Sequence, residues 1–175
     1  MKSRLAAKAK PQDLKKSVPQ IKNIATNRRA RYEYEILETF ECGIELVGAE
    51  VKSLRTGGKL DISEAYGRID AGEIWLMASR IAPYEYATGF GGFDPTRKRK
   101  LLMHRKEIDE LNGKITLQRL TLVPLSLYFK GGIVKTSIAL AKGKKLHDKR
   151  RTIADRDANR EAAREVRESR RMERN

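Results

Sequence analysis

Apolar and polar residues alternate with a period of two through most of the chain between residues 23 and 141. This pattern predicts strands, because successive side chains of a strand point to opposite faces of a sheet. We predict about six strands, over residues 32–40, 44–47, 62–70, 73–81, 119–130 and 133–141. Ala71-Gly72 and Gly131-Gly132 each separate two such runs and predict two-residue hairpin turns.

The strand pattern is interrupted at several places. Glu41-Cys42-Gly43 is predicted to form a turn between the first two strands. Pro124 lies inside the fifth run, where it predicts a sheet edge or a bulge, because proline cannot donate a ladder hydrogen bond. Two short helices are predicted, over residues 50–55, stopped by Gly57-Gly58, and over residues 104–117.

Strands joined mostly by hairpins, with two short helices, predict a mainly β domain. A small closed antiparallel β-barrel removes unpaired strand edges, and a partly open five-strand barrel of oligonucleotide-binding (OB) type with an added strand fits the number of elements. We assign this domain to residues 23–141, with Trp75 packed in its body rather than serving as a base-stacking platform. Residues 1–22 are predicted to be a disordered basic extension, residues 142–151 a basic hinge and residues 152–175 a tail.

The net charge of the chain indicates which class of molecule it binds. The chain has 38 Lys and Arg against 23 Asp and Glu, a net charge of +15, which points to nucleic acid first and to an anionic membrane surface second. No run approaches the roughly 20 apolar residues of a membrane span, so we expect no membrane insertion. Cys42 is the only cysteine, which excludes an intramolecular disulfide and fits a reducing cytoplasm.

The tail carries a stripe of arginines without an apolar face. At about 100° per residue, a helix places these arginines on one side: Arg156, Arg160, Arg164 and Arg167. A helix of this length is marginal in water without packing. We therefore expect the tail to be disordered alone and helical on a phosphate surface, although a solvated tail without a partner has the same composition.

Catalytic patterns are weak. The sequence has no phosphate-binding loop and no cysteine or histidine pair with metal-ligand spacing, so we predict no cofactor, metal or small-molecule substrate. The one enzymatic alternative is a ribonuclease with His147 as general base beside Asp148. It lacks a second titrating partner nearby, and we predict that the protein is not an enzyme.

Several long segments, in this order, resemble the SsrA-binding protein family, also called small protein B, the partner of transfer-messenger RNA (tmRNA). The segments are Ile24-Ala25-Thr26-Asn27-Arg28-Arg29-Ala30, Phe40-Glu41-Cys42-Gly43, Gly48-Ala49-Glu50-Val51-Lys52-Ser53-Leu54-Arg55, Asp94-Pro95-Thr96-Arg97-Lys98-Arg99-Lys100-Leu101-Leu102, Leu125-Ser126-Leu127-Tyr128-Phe129-Lys130, Ala141-Lys142-Gly143-Lys144-Lys145 and His147-Asp148-Lys149-Arg150.

This resemblance implies an OB-type barrel with a disordered C-terminal tail and a non-enzymatic function. The body would bind the tRNA-like part of tmRNA near its elbow, and the complex would enter ribosomes stalled on messages without a stop codon. The tail would then fold as a helix in the empty mRNA channel, and translation would switch to the tag-encoding frame. We expect a cytoplasmic protein that is monomeric when free. The alternative is a general ribosome-associated barrel protein in initiation or assembly.

Residue roles follow partly from the resemblance and partly from charge. Asn27, Glu41 and Leu102 match family positions tied to tmRNA binding. Glu41 would accept a hydrogen bond from a base edge, a ribose hydroxyl or a neighbouring arginine, or form a structural ion pair, and Leu102 would support the surface from the core side. On physical grounds, five basic residues are expected to contact phosphates: Arg28, Arg29, Arg97, Arg99 and Lys100.

The hinge residues match the part of the family that faces the decoding region of the ribosome: Lys142, Lys144, Lys145, His147, Asp148, Lys149 and Arg150. The tail departs from the family at Ala154, Ala158 and Asn159, where a lysine, an aromatic residue and a lysine are common. These departures remove two charges and one stacking group from the tail.

Overall fold

The structure is a computed structural model that describes residues 20–84 and 93–145, together with Asp148, Glu161 and Arg164. Its elements, in chain order, are β1 (Ile21–Thr26), α1 (Ala30–Glu33), β2 (Tyr34–Ile44), α2 (Gly48–Arg55), β3 (Leu60–Asp61), β4 (Tyr66–Asp70), β5 (Glu73–Met77), β6 (Arg80–Ile81), β7 (Arg99–Leu102), α3 (Arg105–Gln118), β8 (Thr121–Lys130) and β9 (Ile133–Gly143). The mainly β class is confirmed, with nine strands and three helices among these residues rather than about six strands and two helices.

One predicted strand is shorter than expected, and another is divided into two. The predicted run 62–70 contains only β4, because an Asp61 carboxylate oxygen accepts the Ser63 N–H at 2.8 Å and turns the chain before β4 begins. The predicted run 73–81 breaks at Ala78, whose φ of 54° is left-handed and cannot continue a strand.

The turn predicted at Glu41-Cys42-Gly43 is wrong. These residues continue β2 and pair with Ser137, Thr136 and Lys135 of β9. Gly43 also pairs with Leu102 of β7, and a Cβ placed at Gly43 would lie 3.2 Å from the Leu102 Cβ. The glycine therefore serves a close approach between two strands rather than a change of direction.

Both predicted hairpins are confirmed. β4 and β5 pair through Asp70 and Glu73 across Ala71-Gly72, and β8 and β9 pair through Lys130 and Ile133 across Gly131-Gly132. All four turn residues have positive φ, as hairpins whose twist matches that of the strands require. The register between β8 and β9 shifts between Pro124 and Ser126, so the predicted irregularity at Pro124 is a bulge.

The strand pairings form an uneven ring. The main sheet has the order β1-β8-β4-β5-β7-β2-β9, and β9 also pairs with β8, so the pairing returns to β8. β8 has β9 along one edge and shares its other edge between β1 and β4. The contact of β4 with β8 is a single register pair, Gly67 with Leu122, whereas β2 and β9 pair along most of their length. β3 and β6 form a separate two-stranded sheet.

The main core lies inside this ring. Its fully buried side chains include Ile74, Leu76, Leu127 and Ile138, and α3 contributes Ile108 and Leu111 to the same cluster. A smaller cluster of Ala30, Val123 and Ala141 lies under α1. Helix α1 is thereby fixed against the sheet although it has only four residues.

A charged group also lies in the interior. The Glu50 and Arg99 side chains are both 0% exposed, and the Arg99 Nε donates to a Glu50 carboxylate oxygen at 3.0 Å. Arg97 adds two hydrogen bonds to the same carboxylate, at 2.9 and 2.6 Å. Burial alone would raise the pKa of Glu50, but the Arg97 and Val47 hydrogen bonds and the two arginine charges bring the pKa below its ordinary value.

Replacing Gly67 should destabilise the seam between β4 and β8. A Cβ at position 67 would lie 2.6 Å from the Leu122 Cβ and 2.9 Å from the Ile138 Cδ1. We expect Gly67→Ala to lower the free energy of unfolding by about 1–3 kcal/mol, measured by urea denaturation. Gly113→Ala in α3, where no atom lies within 4 Å of the new Cβ, is the matched control and should stabilise by about 0.5–1 kcal/mol. Equal effects of the two substitutions would contradict a crowded seam.

Replacing Glu50 should lower the free energy of unfolding at neutral pH and should also reduce the loss of that free energy at acidic pH. Because Glu50→Gln leaves the buried Arg99 charge without its partner, we expect a loss of about 3–5 kcal/mol at neutral pH. The folded-state pKa of Glu50 lies below its ordinary 4.5, so its contribution is present above that pH and is lost as the pH falls further. Wild type should therefore lose more stability than Glu50→Gln between neutral and acidic pH in thermal denaturation.

The control for Glu50 is Glu38→Gln. Glu38 pairs with Lys114 at 2.7 Å, but its side chain is 44% exposed. We expect this substitution to cost about 0–1 kcal/mol. A Glu38→Gln loss as large as that of Glu50→Gln would show that burial of the Glu50 pair is not what makes it strong.

Candidate nucleic-acid interface

An open groove of about 690 Å³ lies between β2, β7 and the start of α3. We call it the Leu102 groove; its lining includes Glu41, Gly43, Glu73, Lys100, Leu102 and Lys135. Leu102 is 52% exposed, so the expectation that it supports the surface from the core side is wrong. Along β7 the inward residues are Arg99 and Leu101, and this alternation turns Leu102 outward. A leucine exposed beside a polar groove offers an apolar contact to a ligand.

Glu41 forms the structural ion pair that the sequence left open. The Tyr128 hydroxyl donates to one carboxylate oxygen at 2.6 Å, and the Lys130 Nζ lies 2.9 Å from both oxygens. These hydrogen bonds lower the pKa of Glu41, and burial together with Glu41 raises the pKa of Tyr128 to about 12. Glu41 therefore stays ionised and orders the wall of the groove, with only its remaining lone pairs available to a ligand.

Asn27 shapes the turn that carries the first arginines. Its side chain is buried, its Oδ1 accepts the Ala30 N–H at 3.0 Å, and its Nδ2 donates to the Ile62 carbonyl at 3.1 Å. The Asn27 side chain thereby fixes the turn that leads into α1. Because both ends of the amide are used inside the protein, Asn27 positions its neighbours rather than reaching a ligand.

The two arginines after Asn27 differ in availability. Arg29 donates to Glu33 at 2.7 Å and to Glu64 at 2.6 Å, and the pKa of Arg29 is raised, first by the Glu33 hydrogen bond and charge and then by Glu64. Arg28 is exposed and has no acidic partner among the described residues. Arg28 is thus the one of the pair whose charge is free for a phosphate.

Arg28 lines a second groove, of about 550 Å³, which we call the Arg28 groove. Its other lining residues are Thr26, Asn27, Arg31, Thr39, Leu125, Ser126 and Ser137. Guanidinium and hydroxyl groups together suit the phosphate and ribose oxygens of a nucleic acid. Arg31 was not among the predicted contacts, although Arg28, Arg29 and Arg31 are three arginines within four residues.

The basic cluster 97–100 is divided by strand alternation. The phosphate-contact role predicted for Arg99 does not fit its placement, because its guanidinium is fully buried and donates to Glu50, Ser79, Pro95 and the Arg97 carbonyl. Arg97, 28% exposed, is also engaged by Glu50.

The other two cations of the cluster point outward. Lys100 forms an ion pair with Glu73. Lys98, which was not selected from the sequence, is exposed, and its Nζ lies 4.7 Å from the centre of the Trp75 ring. The inward pattern of Arg99 and Leu101 would have identified Lys98 as an outward cation.

The start of the predicted hinge is tied to α1. Lys142 still belongs to β9, opposite Glu35, so the sheet extends slightly beyond the predicted domain. The Lys144 N–H donates to the Glu33 carbonyl at 2.9 Å, and its Nζ donates to the Arg31 carbonyl at 3.1 Å.

Past this point few residues are described. The Lys145 N–H donates to an Asp148 carboxylate oxygen at 3.1 Å, and Arg164 is helical and exposed. The remaining predicted contacts lie outside the described residues: His147, Lys149, Arg150, Arg156, Arg160 and Arg167.

Three further observations bear on metal binding, nucleophilic catalysis and membrane insertion. Residues 20–84 and 93–145 hold no group of three side chains suited to a metal ion. Burial raises the pKa of the Cys42 thiol to about 12, so it is not a thiolate nucleophile at neutral pH. Where the structure describes the chain, no helix is long and apolar enough to cross a membrane.

Comparison with known proteins gives consistent matches. The family model described as SmpB protein matches residues 24–168. The SsrA-binding protein of Mycolicibacterium vanbaalenii is 54% identical over 157 residues, which cover 90% of this chain and 93% of that protein. The SsrA-binding protein of Synechococcus sp. (strain JA-2-3B'a(2-13)) is 48% identical over 150 residues, which cover 86% of this chain and 97% of that protein.

A solved structure agrees with the sequence relatives. A chain from the structure described as "tmRNA-SmpB: a journey to the center of the bacterial ribosome" matches with a TM-score of 0.58 at 50% identity, covering 71% of this chain and 86% of that chain. The family match spans both grooves and the start of the hinge, and the relatives cover most of the chain. The protein therefore belongs to the SmpB family.

Proposed function

We propose that this protein binds tmRNA and delivers it to stalled ribosomes for trans-translation. The observation that carries the proposal is the match over most of the chain to proteins named for binding SsrA RNA, joined to a body that presents two open grooves with exposed cations. The role is one of binding, not catalysis. It would be performed in the cytoplasm, where ribosomes work.

The body supplies a rigid RNA-binding surface in this proposal. In this proposal the uneven ring of strands serves as a partly open barrel of OB type, and the residues that α3 adds to the core support that role. A folded RNA hides its base edges in a deep, narrow major groove, so a protein recognises it mainly through shape, phosphates and riboses. Two open grooves on a fixed body suit that kind of ligand.

The structure changes which residues we assign to the RNA. Arg28 and Lys98 are exposed cations without an acidic partner among the described residues, and Leu102 is an exposed apolar contact. Arg29, Arg97 and Lys100 already have acidic partners, so they would contact phosphates only by sharing their charge. Asn27 and Arg99 are positioning residues, because their polar groups are used inside the protein.

The hinge and tail serve the ribosome in this proposal. The hinge leaves the body beside α1, next to the Arg28 groove, and its residues from Lys142 to Arg150 would face the decoding region. The arginine stripe from Arg156 to Arg167 would form a helix in the mRNA channel when the channel is empty. A cationic segment that orders only on binding loses its site when message already fills the channel.

The RNA that the protein carries in cells is the direct test of the proposal. We expect capture of the full-length protein from a lysate, followed by RNA sequencing, to enrich one RNA with a tRNA-like end. Arg28→Gln should recover less of this RNA, whereas Lys106→Gln, which removes an exposed charge on α3 that lines neither groove, should recover as much as wild type. Recovery of bulk ribosomal RNA alone would contradict the proposal and favour a general ribosome-associated protein.

Removing the tail should separate the two activities. A chain ending at Arg150 keeps the body and both grooves, so its affinity for tmRNA should stay close to that of wild type. It should fail to add the tmRNA-encoded tag to proteins from stalled ribosomes, because the probe of the mRNA channel is gone. Binding is measured by titration and tagging by detection of the tagged products. A truncated protein that still tags would refute the role given to the tail.

A further inference from the structure

The outward side of β4, β5 and β7 carries an aromatic residue among cations. Arg68, Trp75 and Lys100 are direct cross-strand neighbours in one row across the three strands. Tyr66 and Met77 form the next row. We call this surface the Trp75 face, defined by Tyr66, Arg68, Trp75, Met77, Lys98 and Lys100.

Trp75 points away from the core. Its neighbours in β5, Ile74 and Leu76, are both 0% exposed and occupy the inward side, which leaves the indole partly exposed on the outer side. Trp75 therefore belongs to the body, as expected, but its ring lies on the outer side of the sheet and not among the core residues. The Lys98 ammonium lies over the ring, so the indole already holds a cation on its surface.

The charges around Trp75 favour an anionic ligand. Arg68 is exposed and forms no ion pair with another described residue, and the Lys98 ammonium lies over the ring without an ion pair to any residue in the described ranges. Lys100 is balanced by Glu73. An aromatic ring flanked by unpaired cations is the arrangement with which proteins bind unpaired nucleotides, where bases stack on the ring and phosphates meet the cations.

The Trp75 face is continuous with the Leu102 groove. Glu73 and Lys100 line that groove, and Lys100 is also the cross-strand neighbour of Trp75. An RNA lying in the groove would therefore reach the Trp75 face without leaving the surface of β7. The same molecule is the simplest occupant of both.

We propose that the Trp75 face is a stacking platform for one unpaired base of the RNA that occupies the Leu102 groove. Arg68 and Lys98 bind the phosphates on either side of that base. On binding, the Lys98 ammonium moves from the indole to a phosphate, because a base stacks on an indole more strongly than an exposed ammonium does. This inference rests on the proposed function and adds a base contact to it.

Trp75 itself reports on this contact, because it is the only tryptophan in the chain. Titrating the full-length protein with a tmRNA transcript should quench the tryptophan emission, with the same concentration dependence as binding measured by filter retention. Trp75→Ala should weaken binding roughly tenfold. Trp75→Phe, which keeps an aromatic surface, should bind close to wild type.

Two charge variants separate the Trp75 face from general electrostatics. Lys98→Gln should weaken binding and reduce its salt dependence, because one phosphate contact is lost. Lys22→Gln removes an exposed charge on β1, a strand that pairs only with β8 among the described residues, and should leave both quantities unchanged. Equal losses from the two variants would overturn the specific role of Lys98.

The outcomes distinguish this inference from the proposed function. If tmRNA binds while the emission stays constant and Trp75→Ala binds as wild type, the stacking platform is overturned and the proposed function stands. If tmRNA does not bind at all, both are overturned. If only ribosomal proteins change the emission, the Trp75 face belongs to a protein partner and the inference is wrong. If the circular dichroism of Trp75→Ala shows that this variant is unfolded, two measurements still test the inference: the tryptophan emission of wild type and the RNA affinity of Lys98→Gln.

Discussion

The carboxylate of Glu50 constrains the whole body, because it is fully buried and is balanced by two arginines from a single segment. Arg99 and Arg97 approach it from β7 and from the chain just before that strand. A buried charge without its partner is far less stable than the pair, so α2 and β7 must keep their relative positions. Through Arg99, the same carboxylate also fixes Ser79 after β5 and Pro95 before β7. The strands that carry the Leu102 groove and the Trp75 face are thereby held in place.

This internal use of charge explains how a chain with a net charge of +15 divides its cations between structure and ligand. On the body, several basic side chains are paired with acids: Arg29, Arg97, Arg99, Lys100, Lys114 and Lys130. Arg28 and Lys98 are exposed and have no acidic partner in the described ranges, and each stands next to a residue that is firmly fixed. A free cation beside a fixed one loses little entropy on binding, because its backbone is already ordered. The ion pairs therefore hold the backbone around the exposed cations in place, which lowers the entropy that these cations lose when they bind a ligand.

Local sequence patterns predicted much of the fold but only part of the candidate RNA-binding site. Alternation and dipeptides that contain glycine predicted the hairpins at Ala71-Gly72 and Gly131-Gly132, because this information is contained in neighbouring residues. Gly43 was predicted to lie in a turn because the sequence does not show that β7 approaches it across the sheet. Arg99 looked like a ligand contact because its acid partner is 49 residues away in the chain. Long-range pairing, not residue type, decides which arginine is free.

The separation between Glu50 and Arg99 also has a kinetic consequence. Neither charge can leave water before the other is in place, so α2 and β7 must meet in one step that closes a loop of 49 residues. Closing a loop costs entropy before any contact compensates for it, which slows folding of β-rich domains in general. We expect the barrier to folding of this body to include that closure. A cell making this protein therefore completes the β5–β7 region, and with it the RNA-binding surface, only after residue 99 has left the ribosome that synthesises it.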